Sequence, residues 1–427
     1  MGSGTTKIIE AFGKIIENSI PSDPQRAQMI LKTGWQAVSL RNWIAPDRRL
    51  APSGVYLARI LMNMILAPLK DPGNSAIVSI LTPCELVHLF GLAPYNAEAY
   101  SSFIAASECA GTLLGQTEAN GIPGTLCSYH RVFLGAAESG MLPAPKCIIS
   151  SNLACDANQL TFKRMASYYN VPHFTIEVPY SPGPSAVEYV AGQFKELYRF
   201  LEKVTGKHPP EEKLIEIMQR SRRTMDLYHK YQIERGKNTF LQNVPTTLYE
   251  FGAMNVLRGT PQSLKYAEMA YKDAQKTASF KGAKIYWVHT IPHWMQSVEK
   301  TFTFSKSAQL MGMDLTTSEF NDFDPEDPYT AMAECMVYSS LNGDHSRRTE
   351  HALKMAKETG AHGAIWFCHW GCKKTAVAAS EGKRRFEEEG IPVLILNGDS
   401  VDRTGGGSEQ AATRLDAFLE MLREKHG

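Results

Sequence analysis

The chain has 427 residues, of which 43% are apolar, and its 45 basic and 44 acidic residues leave a formal net charge of +1. A chain of this length is expected to form two or three domains, and its balanced charge argues against nucleic acid as the main partner. Eight cysteines are too few for a disulfide scaffold and no secretory signal is visible, so we expect a cytoplasmic protein with reduced thiols.

Residues 1–70 are expected to form a helical segment that prolines interrupt. Its longest apolar run, Val55–Ala67, contains Arg59 and Asn63 and is too short to span a bilayer. We therefore predict a core helix that ends at Pro68, and no association with a membrane.

Short apolar runs alternate with helical segments over residues 71–205 and again over residues 281–427, which is typical of parallel α/β domains. Residues 206–280 have helical periodicity and many charges, so we expect connecting helices there. The predicted fold is α/β, with two doubly wound parallel-sheet (flavodoxin-like) domains, an N-terminal helical segment and connecting helices. The predicted strands are 76–81, 146–150, 173–178, 284–289, 364–368 and 392–396, and the predicted helices of the two domains are 98–118, 127–139, 157–169, 185–204 and 408–424.

Several cysteines occupy positions where such folds carry their chemistry. Cys84, Cys155, Cys368 and Cys372 are each expected to lie just past the carboxyl end of a predicted strand, and Cys127 lies where a glycine-rich stretch gives way to a helix. Functional groups of open α/β sheets collect at these strand ends. Thiolates brought there from distant parts of a chain indicate a metal or iron–sulfur site, or redox chemistry. No compact CxxC run is present, so the spacing alone does not choose among these possibilities.

The surroundings of Cys372 favour its thiolate form. Gly371 permits a sharp turn before a helix that begins near Cys372, so the thiol is expected to lie at the positive end of the helix dipole. Lys373 and Lys374 add positive charge. The same dipole argument applies to Cys127 at the start of the helix 127–139. The alternative for Cys372 and Cys368 is that they are two semi-buried structural cysteines.

Other residues are open to two interpretations. Cys109, in a predicted helix 104–114, and Cys147, in a strand, are expected to be core residues, whereas Cys335 is either a core residue or a ligand. His130 has two interpretations. It is either a hydrogen-bonded surface residue, or a functional residue that donates a proton or binds a metal. His293 follows the strand 284–289 and is a candidate acid–base residue facing the cleft.

Two loops near the C-terminus carry backbone amides that are able to hold an anion or a thioester group. They are Asn397–Ser400 and Gly405–Ser408, and the second loop opens the last predicted helix. The alternative is an ordinary turn followed by a helix cap, with Ser408 as the capping residue.

Taken in order, segments that cover most of residues 75–425 resemble the 2-hydroxyacyl-CoA dehydratase family, which also contains benzoyl-CoA reductase subunits and double-cubane cluster proteins. No single motif among them is specific, and the resemblance rests on the ordered set. The segments are TPCELVHLFG at 82–91, LCSYHR at 126–131, SSNLACD at 150–156, TIPHW at 290–294, HWGCKK at 369–374, GIPVLILNGDSVDR at 390–403 and SEQAATRLDAFLEML at 408–422.

The resemblance implies that three separated cysteines, Cys127, Cys155 and Cys372, hold a [4Fe-4S] cluster with one iron that lacks a cysteine and can take the thioester oxygen of an acyl-CoA substrate. It also implies a separate ATP-hydrolysing activator that injects one low-potential electron. The resulting ketyl radical lets hydroxide leave the α-carbon, after which a β-proton is lost. His293, Ser408 and Glu409 lie in the matching segments and are the candidate catalytic residues.

Three further thiols, Cys84, Cys335 and Cys368, exceed the three that the dehydratases use. Six cysteines would fit an [8Fe-9S] double cubane, so the alternative function is reduction of small molecules by such a cluster. A second alternative is a non-catalytic, metal-stabilised binding subunit. The main expectation is an oxygen-sensitive lyase or oxidoreductase of anaerobic metabolism.

The expected partners follow from the same resemblance and from missing motifs. The chain has no Walker A sequence and no GxGxxG fingerprint that opens a predicted βαβ unit. We therefore expect a separate ATP-dependent activator to supply the electron. We also expect a homo- or heterodimer with a related subunit.

Overall fold

The computed structural model describes residues 3–317, 321–404 and 408–426. Within this part of the chain, eight strands form two four-stranded parallel sheets, in the orders β2-β1-β3-β4 and β6-β5-β7-β8. The predicted α/β fold with two parallel sheets is confirmed. The strands are β1 (Ser75–Val78), β2 (Ala93–Asn96), β3 (Cys147–Ser151), β4 (His173–Ile176), β5 (Ala283–Val288), β6 (Ala308–Met313), β7 (Gly363–His369) and β8 (Val393–Gly398).

The order of the strands creates one crevice at the edge of each sheet. The chain passes from β1 to β2 and then crosses to β3 on the other side of β1, and β5, β6 and β7 repeat this path. The loops after β1 and β3, and those after β5 and β7, therefore border a switch point where open α/β sheets bind ligands.

Three helices precede the first sheet: α1 (Ser3–Ser19), α2 (Pro24–Ile44) and α3 (Pro52–Lys70). Helix α3 is long and apolar enough to cross a membrane by length and composition alone. Most of its side chains are buried, however, and it packs against α2 and β2 as a core helix. The prediction that the helix ends at Pro68 is wrong, because Pro68 lies inside its last turn. A proline there removes one N–H group and leaves the turns before it intact.

The remaining helices surround the two sheets and connect them. Around the first sheet they are α4 (Glu85–Leu89), α5 (Ala97–Ala106), α6 (Gly111–Ala119), α7 (Ser128–Glu138), α8 (Ala157–Tyr169) and α9 (Pro184–Thr205). The connecting helices are α10 (Glu212–Lys237), α11 (Val244–Phe251), a π-helix (Gly252–Val256) and α12 (Pro261–Ala274). Around the second sheet they are α13 (Gln296–Phe302), α14 (Pro328–Val337), α15 (His345–Glu358), α16 (Lys373–Ala376), α17 (Ala379–Glu388) and α18 (Ser408–His426).

The core joins the two halves of the molecule. One continuous cluster of buried apolar residues includes the N-terminal helices and side chains from both sheets. Helix α14 of the second half packs against α9 of the first. The two crevices therefore belong to one packed body, which allows residues from both halves to form a single site.

Candidate functional site

Three cysteines from both halves of the molecule face one another. Cys127 immediately precedes α7, Cys155 lies between β3 and α8, and Cys372 immediately precedes α16 after β7. Burial raises the pKa of the Cys127 thiol well above its usual range, and the nearby Cys372 and Cys155 thiols raise it further. Burial and the Cys372 thiol likewise raise the pKa of Cys155 to about 12. Each of the three thiols is thus an electrostatic neighbour of the other two.

The expectation that a helix dipole favours the Cys127 thiolate is wrong for the protein without a bound cation. The backbone amide of Tyr129 acts in the expected direction, but burial and the other two thiols outweigh it. Such a set of thiols binds as thiolates only when a cation compensates the buried negative charge.

The donor set suits an iron–sulfur cluster better than a single ion. Among the described residues, no group of three or more His, Cys, Asp or Glu side chains converges closely enough to hold one metal ion. In a cluster each thiolate binds a different iron, so its ligands stand further apart than those of a single ion. The partly buried, neighbouring thiols of Cys127, Cys155 and Cys372 fit that requirement.

Gly371 allows the loop after β7 to approach the start of α7. Its backbone has a φ of +79°, and a Cβ atom built there would lie 2.7 Å from both the N and the Cα of Cys127. No other residue type fits this contact, since the clash is with backbone atoms and the left-handed conformation already favours glycine. The contact between the two loops places Cys372 beside Cys127.

Two buried histidines contact the candidate ligand sulfurs. His369 Nε2 lies 3.3 Å from Cys127 Sγ, and His130 Nε2 lies 3.4 Å from Cys155 Sγ. His130 is not a surface residue, because α7 turns it inward, and burial lowers its pKa to about 4. His369 was not among the site residues predicted from the sequence, although its place beside Cys372 at the end of a strand was a signal for it.

Asp399 connects the second half to the start of α7. Its Oδ1 accepts hydrogen bonds from the Ser128 hydroxyl at 2.6 Å and from the amides of Val401 and Asp402 at 2.7 Å each. The Ser400 amide donates to His369 Nδ1 at 3.1 Å. Within the predicted loop Asn397–Ser400, the Ser400 amide is therefore not available to an external anion, because His369 already accepts its hydrogen bond. The anion-binding role of the rest of this loop stays a prediction.

The second loop predicted to hold an anion, Gly405–Ser408, lies largely outside the described residues. Residues 405–407 are not described, and neither is the side chain of Ser408, the first residue of α18. Glu409 lies exposed in the first turn of α18. The catalytic roles expected for Ser408 and Glu409 stay predictions.

The three surplus thiols lie in two different places. Cys84 precedes α4 and Cys335 lies in α14, and both are buried near the ion pair of Arg258 and Glu85, whose Nε and Oε1 atoms are 2.8 Å apart. Cys368 lies inside β7 rather than beyond its end, since the strand continues through residue 369. Burial and the neighbouring Cys372 raise the pKa of Cys368 to about 11. A second ligand set formed by these three cysteines stays a prediction.

The two cysteines expected in the core are both buried. Cys147 is the first residue of β3, as predicted for a strand position. Cys109 is not in a helix, because the predicted helix is divided at the turn between α5 and α6. Both residues therefore provide core positions away from the candidate ligands.

His293 and His289 both follow β5 but have different neighbours. His293 Nε2 is buried with no hydrogen-bond partner among the described residues, and burial together with Arg403 lowers its pKa to about 4. His289 has a left-handed backbone with a φ of +84°, and its ring centre lies 6.1 Å from that of His369. Arg348 donates to His289 Nδ1 at 3.3 Å. The sequence analysis selected His293, whereas His289 is the residue that adjoins His369.

A buried carboxyl group lies near Cys155. Glu98, in the first turn of α5, accepts a hydrogen bond from the Ile80 amide at 3.1 Å, while its Oε2 is buried without a partner among the described residues. Burial raises the pKa of Glu98 to about 7. Its charge contributes to the raised pKa of Cys155, so it faces the same site.

Comparison with known proteins supports a family assignment. Residues 79–422 match the family model described as 2-hydroxyglutaryl-CoA dehydratase, D-component. The chain is 25% identical to the (R)-2-hydroxyisocaproyl-CoA dehydratase alpha subunit of Clostridioides difficile, over 86% of this chain and 97% of that protein. It is 24% identical to the (R)-phenyllactyl-CoA dehydratase alpha subunit of Clostridium sporogenes, over 80% of this chain and 87% of that protein.

A shorter match relates the chain to the other type of subunit. It is 34% identical to the (R)-phenyllactyl-CoA dehydratase beta subunit of Clostridium sporogenes, over 22% of this chain and 23% of that protein. The family model, in contrast, spans seven of the eight described strands, β2 to β8, together with Cys127, Cys155 and Cys372. The resemblance inferred from the ordered motifs is thereby confirmed, and the chain belongs to the 2-hydroxyglutaryl-CoA dehydratase D-component family.

Proposed function

We propose that this chain is a subunit of a 2-hydroxyacyl-CoA dehydratase, a lyase that acts on an acyl-CoA thioester. The observation that carries the proposal is the proximity of Cys127, at the start of α7, to Cys155 and Cys372, which follow strands β3 and β7 of different halves. The names of the relatives, which are alpha subunits of such dehydratases, support the same class of reaction.

The three thiols are proposed to hold a [4Fe-4S] cluster. When bound, the cluster supplies a one-electron reductant and an iron that is open to a thioester oxygen. The buried side chains of His369 and His130 lie against two of the partly buried thiols and shield that part of the site from water. In such surroundings each charge interaction is stronger than it is in water.

Loss of water from a 2-hydroxyacyl group requires a protein group that releases and accepts a proton. Glu98 is suited to this task, since its buried Oε2 has no hydrogen-bond partner in the described part of the chain and its pKa of about 7 allows either protonation state. His293 is neutral near pH 7 and remains a second proposed proton acceptor. Ser408 and Glu409 are retained as proposed catalytic residues at the start of α18.

The electron is proposed to come from a separate ATP-dependent reductase that docks near the thiols. A second, related subunit is proposed to complete the enzyme, because the relatives are named as alpha subunits and the chain also matches a beta subunit. A cytoplasmic location is proposed because all eight cysteines are free thiols in the structure. Turnover of the purified enzyme with ordinary donors, in the absence of the reductase and ATP, would contradict the electron supply proposed here.

Anaerobic determination of iron and acid-labile sulfide tests the cluster directly. We expect about four irons per chain for the dehydratase type, whereas roughly eight would favour the double-cubane alternative. Zinc alone, or no metal, would contradict both and favour a non-catalytic binding subunit. Cys372→Ser should lower the iron content, whereas the matched Cys109→Ser, at a buried thiol in the turn between α5 and α6, should not.

A further inference from the structure

Two of the three facing thiols have a histidine as a hydrogen-bond partner. His369 reaches Cys127 from the end of β7 in the second half, and His130 reaches Cys155 from the first turn of α7. Both histidines are buried, at 2% and 6% exposure, so each ring is fixed by packing. The Cys372 sulfur has no hydrogen-bond partner among the described residues.

The direction of the hydrogen bond at Cys127 follows from the other side of the His369 ring. The amide N–H of Ser400 points at Nδ1 at 3.1 Å, so Nδ1 must be the acceptor and carries no proton. A neutral imidazole then carries its proton on Nε2. The Nε2–H group therefore donates to Cys127 Sγ at 3.3 Å, with the sulfur as acceptor.

The direction at Cys155 depends on the state of the sulfur. A thiolate has no proton to give, so Cys155 as a metal ligand can only accept from His130 Nε2, which lies 3.4 Å away. The two contacts then have the same polarity, with an imidazole N–H aimed at a thiolate in each case.

We propose that His369 and His130 are positioning residues whose Nε2–H groups donate to the ligand sulfurs and hold the reduction potential of the bound cluster at a less negative value. The inference rests on the proposed cluster at Cys127, Cys155 and Cys372. Reduction adds negative charge to the cluster, and hydrogen bonds to its sulfurs stabilise the more negative state. The amide of Ser400, in the loop after β8, orients the ring of His369 by donating to its Nδ1.

The test compares histidine variants that keep or remove the donor. His369→Leu and His130→Leu remove the N–H group at similar volume, whereas His369→Gln and His130→Gln retain an N–H donor. His173→Leu is the matched control, because His173 bonds Ser150 Oγ at 2.8 Å at the amino end of β4, away from the thiols. Iron and sulfide are counted in each protein, and the midpoint potential is measured by a redox titration followed by electron paramagnetic resonance.

We expect both Leu variants to shift the potential to a more negative value, with the Gln variants closer to the wild type and the control unchanged. Electron–nuclear double resonance of the wild-type protein should also detect exchangeable protons coupled to the cluster, which tests the donors even where a Leu variant loses iron. An iron-containing wild type without such protons, or loaded Leu variants with an unchanged potential, would overturn the inference alone. A wild type without iron would overturn the proposed function as well.

Discussion

Glu98 is the buried carboxyl group with the clearest consequence for pH dependence. Its usual pKa of about 4.5 rises to about 7 because burial penalises the charged form. Among the described residues its Oε1 accepts from the amide of Ile80 and its Oε2 has no hydrogen-bond partner, and burial outweighs the hydrogen bonds that favour the charged form. The folded protein therefore binds this proton more tightly than the unfolded chain does.

Replacement of Glu98 by Gln should remove a pH-dependent loss of stability. Below about pH 4.5 both states hold the proton and the group has no effect. Between about pH 4.5 and 7 the unfolded chain releases its proton first, so the free energy of unfolding falls as the pH rises. The loss reaches the order of 3 kcal/mol above pH 7. Urea unfolding across this range should show that Glu98→Gln becomes more stable relative to the wild type as the pH rises. If the difference in unfolding free energy stays constant with pH, the raised pKa of Glu98 is contradicted.

The buried ion pair of Glu85 and Arg258 makes stability depend on pH in the opposite direction. Burial alone would raise the pKa of Glu85, but the Arg258 charge and hydrogen bonds from Arg258 and Ser221 hold it below its usual range. This contribution to stability is present above the ordinary pKa of a glutamate and is lost as the pH falls.

Arg258→Met should therefore be strongly destabilising at neutral pH. It leaves the Glu85 charge buried without its cation, which costs about 3–5 kcal/mol of unfolding free energy in comparable cases. Arg384→Met is the matched control, since Arg384 pairs with Glu381 and Glu388 on the exposed face of α17, where solvent screens the charges, and should have a much smaller effect. Equal effects of the two variants in urea unfolding would show that burial of the pair does not matter.

At this scale the sequence predicts where a thiol lies but not what surrounds it. The positions of Cys127, Cys155 and Cys372 at strand ends and helix starts depend on local pattern, and the structure has them there. The contacts of His369 and His130 with these sulfurs join residues 242 and 25 positions apart. No local pattern carries that information, and the raised pKa of Cys127 likewise depends on burial by distant residues.

At the scale of elements, the loop after β7 packs closely against the start of α7. Gly371 and Gly390 have nearly the same backbone, with φ values of +79° and +78°. A Cβ at Gly371 would meet the backbone of Cys127 at 2.7 Å, whereas a Cβ at Gly390 would meet nothing within 4 Å. A comparison of substitutions at Gly371 and Gly390 therefore separates the effect of backbone strain from that of the clash with Cys127.

Gly371→Ala should therefore lower both stability and iron content, and Gly390→Ala only stability. The left-handed backbone costs each alanine variant roughly 1–2 kcal/mol. The clash in Gly371→Ala must in addition move the loop that carries Cys372 away from Cys127, which separates two proposed ligands. Urea unfolding and iron analysis of both variants check this, and equal iron contents would show that the contact does not position the thiols.

The elements themselves were predictable where their sequences were apolar and regular. Strands β2 and β6 were missed because β2 contains Pro94 and β6 contains Gln309 and Gly312, residue types that strands disfavour. Both strands lie at the edge of their sheets, where fewer ladder hydrogen bonds are needed and such residues are tolerated. Each sheet therefore has one strand more than the sequence indicated.

At the scale of the whole molecule, the segment after β8 joins the two halves near the thiols through hydrogen bonds and ion pairs. Asp399 accepts from Ser128, Asp402 lies 3.5 Å from Arg131, and Arg403 pairs with Glu108. The alternation of strands and helices predicted two sheets, but this docking could not be predicted, because ion pairs between distant loops leave no periodic signal in a sequence.

Removal of the proposed cluster should loosen this junction in both halves at once. The ligands come from residues 127 and 155 on one side and residue 372 on the other, so the cluster binds only the docked arrangement and stabilises it by mass action. After anaerobic chelation of iron, hydrogen exchange should accelerate together in residues 127–131, 369–374 and 399–403, while β1 and β5 keep their protection because they lie inside packed sheets. Cys372→Ser should show the same pattern without chelation, and Cys109→Ser should not. Faster exchange confined to one half would mean that the cluster is held by that half alone, and that the three thiols do not act as one ligand set.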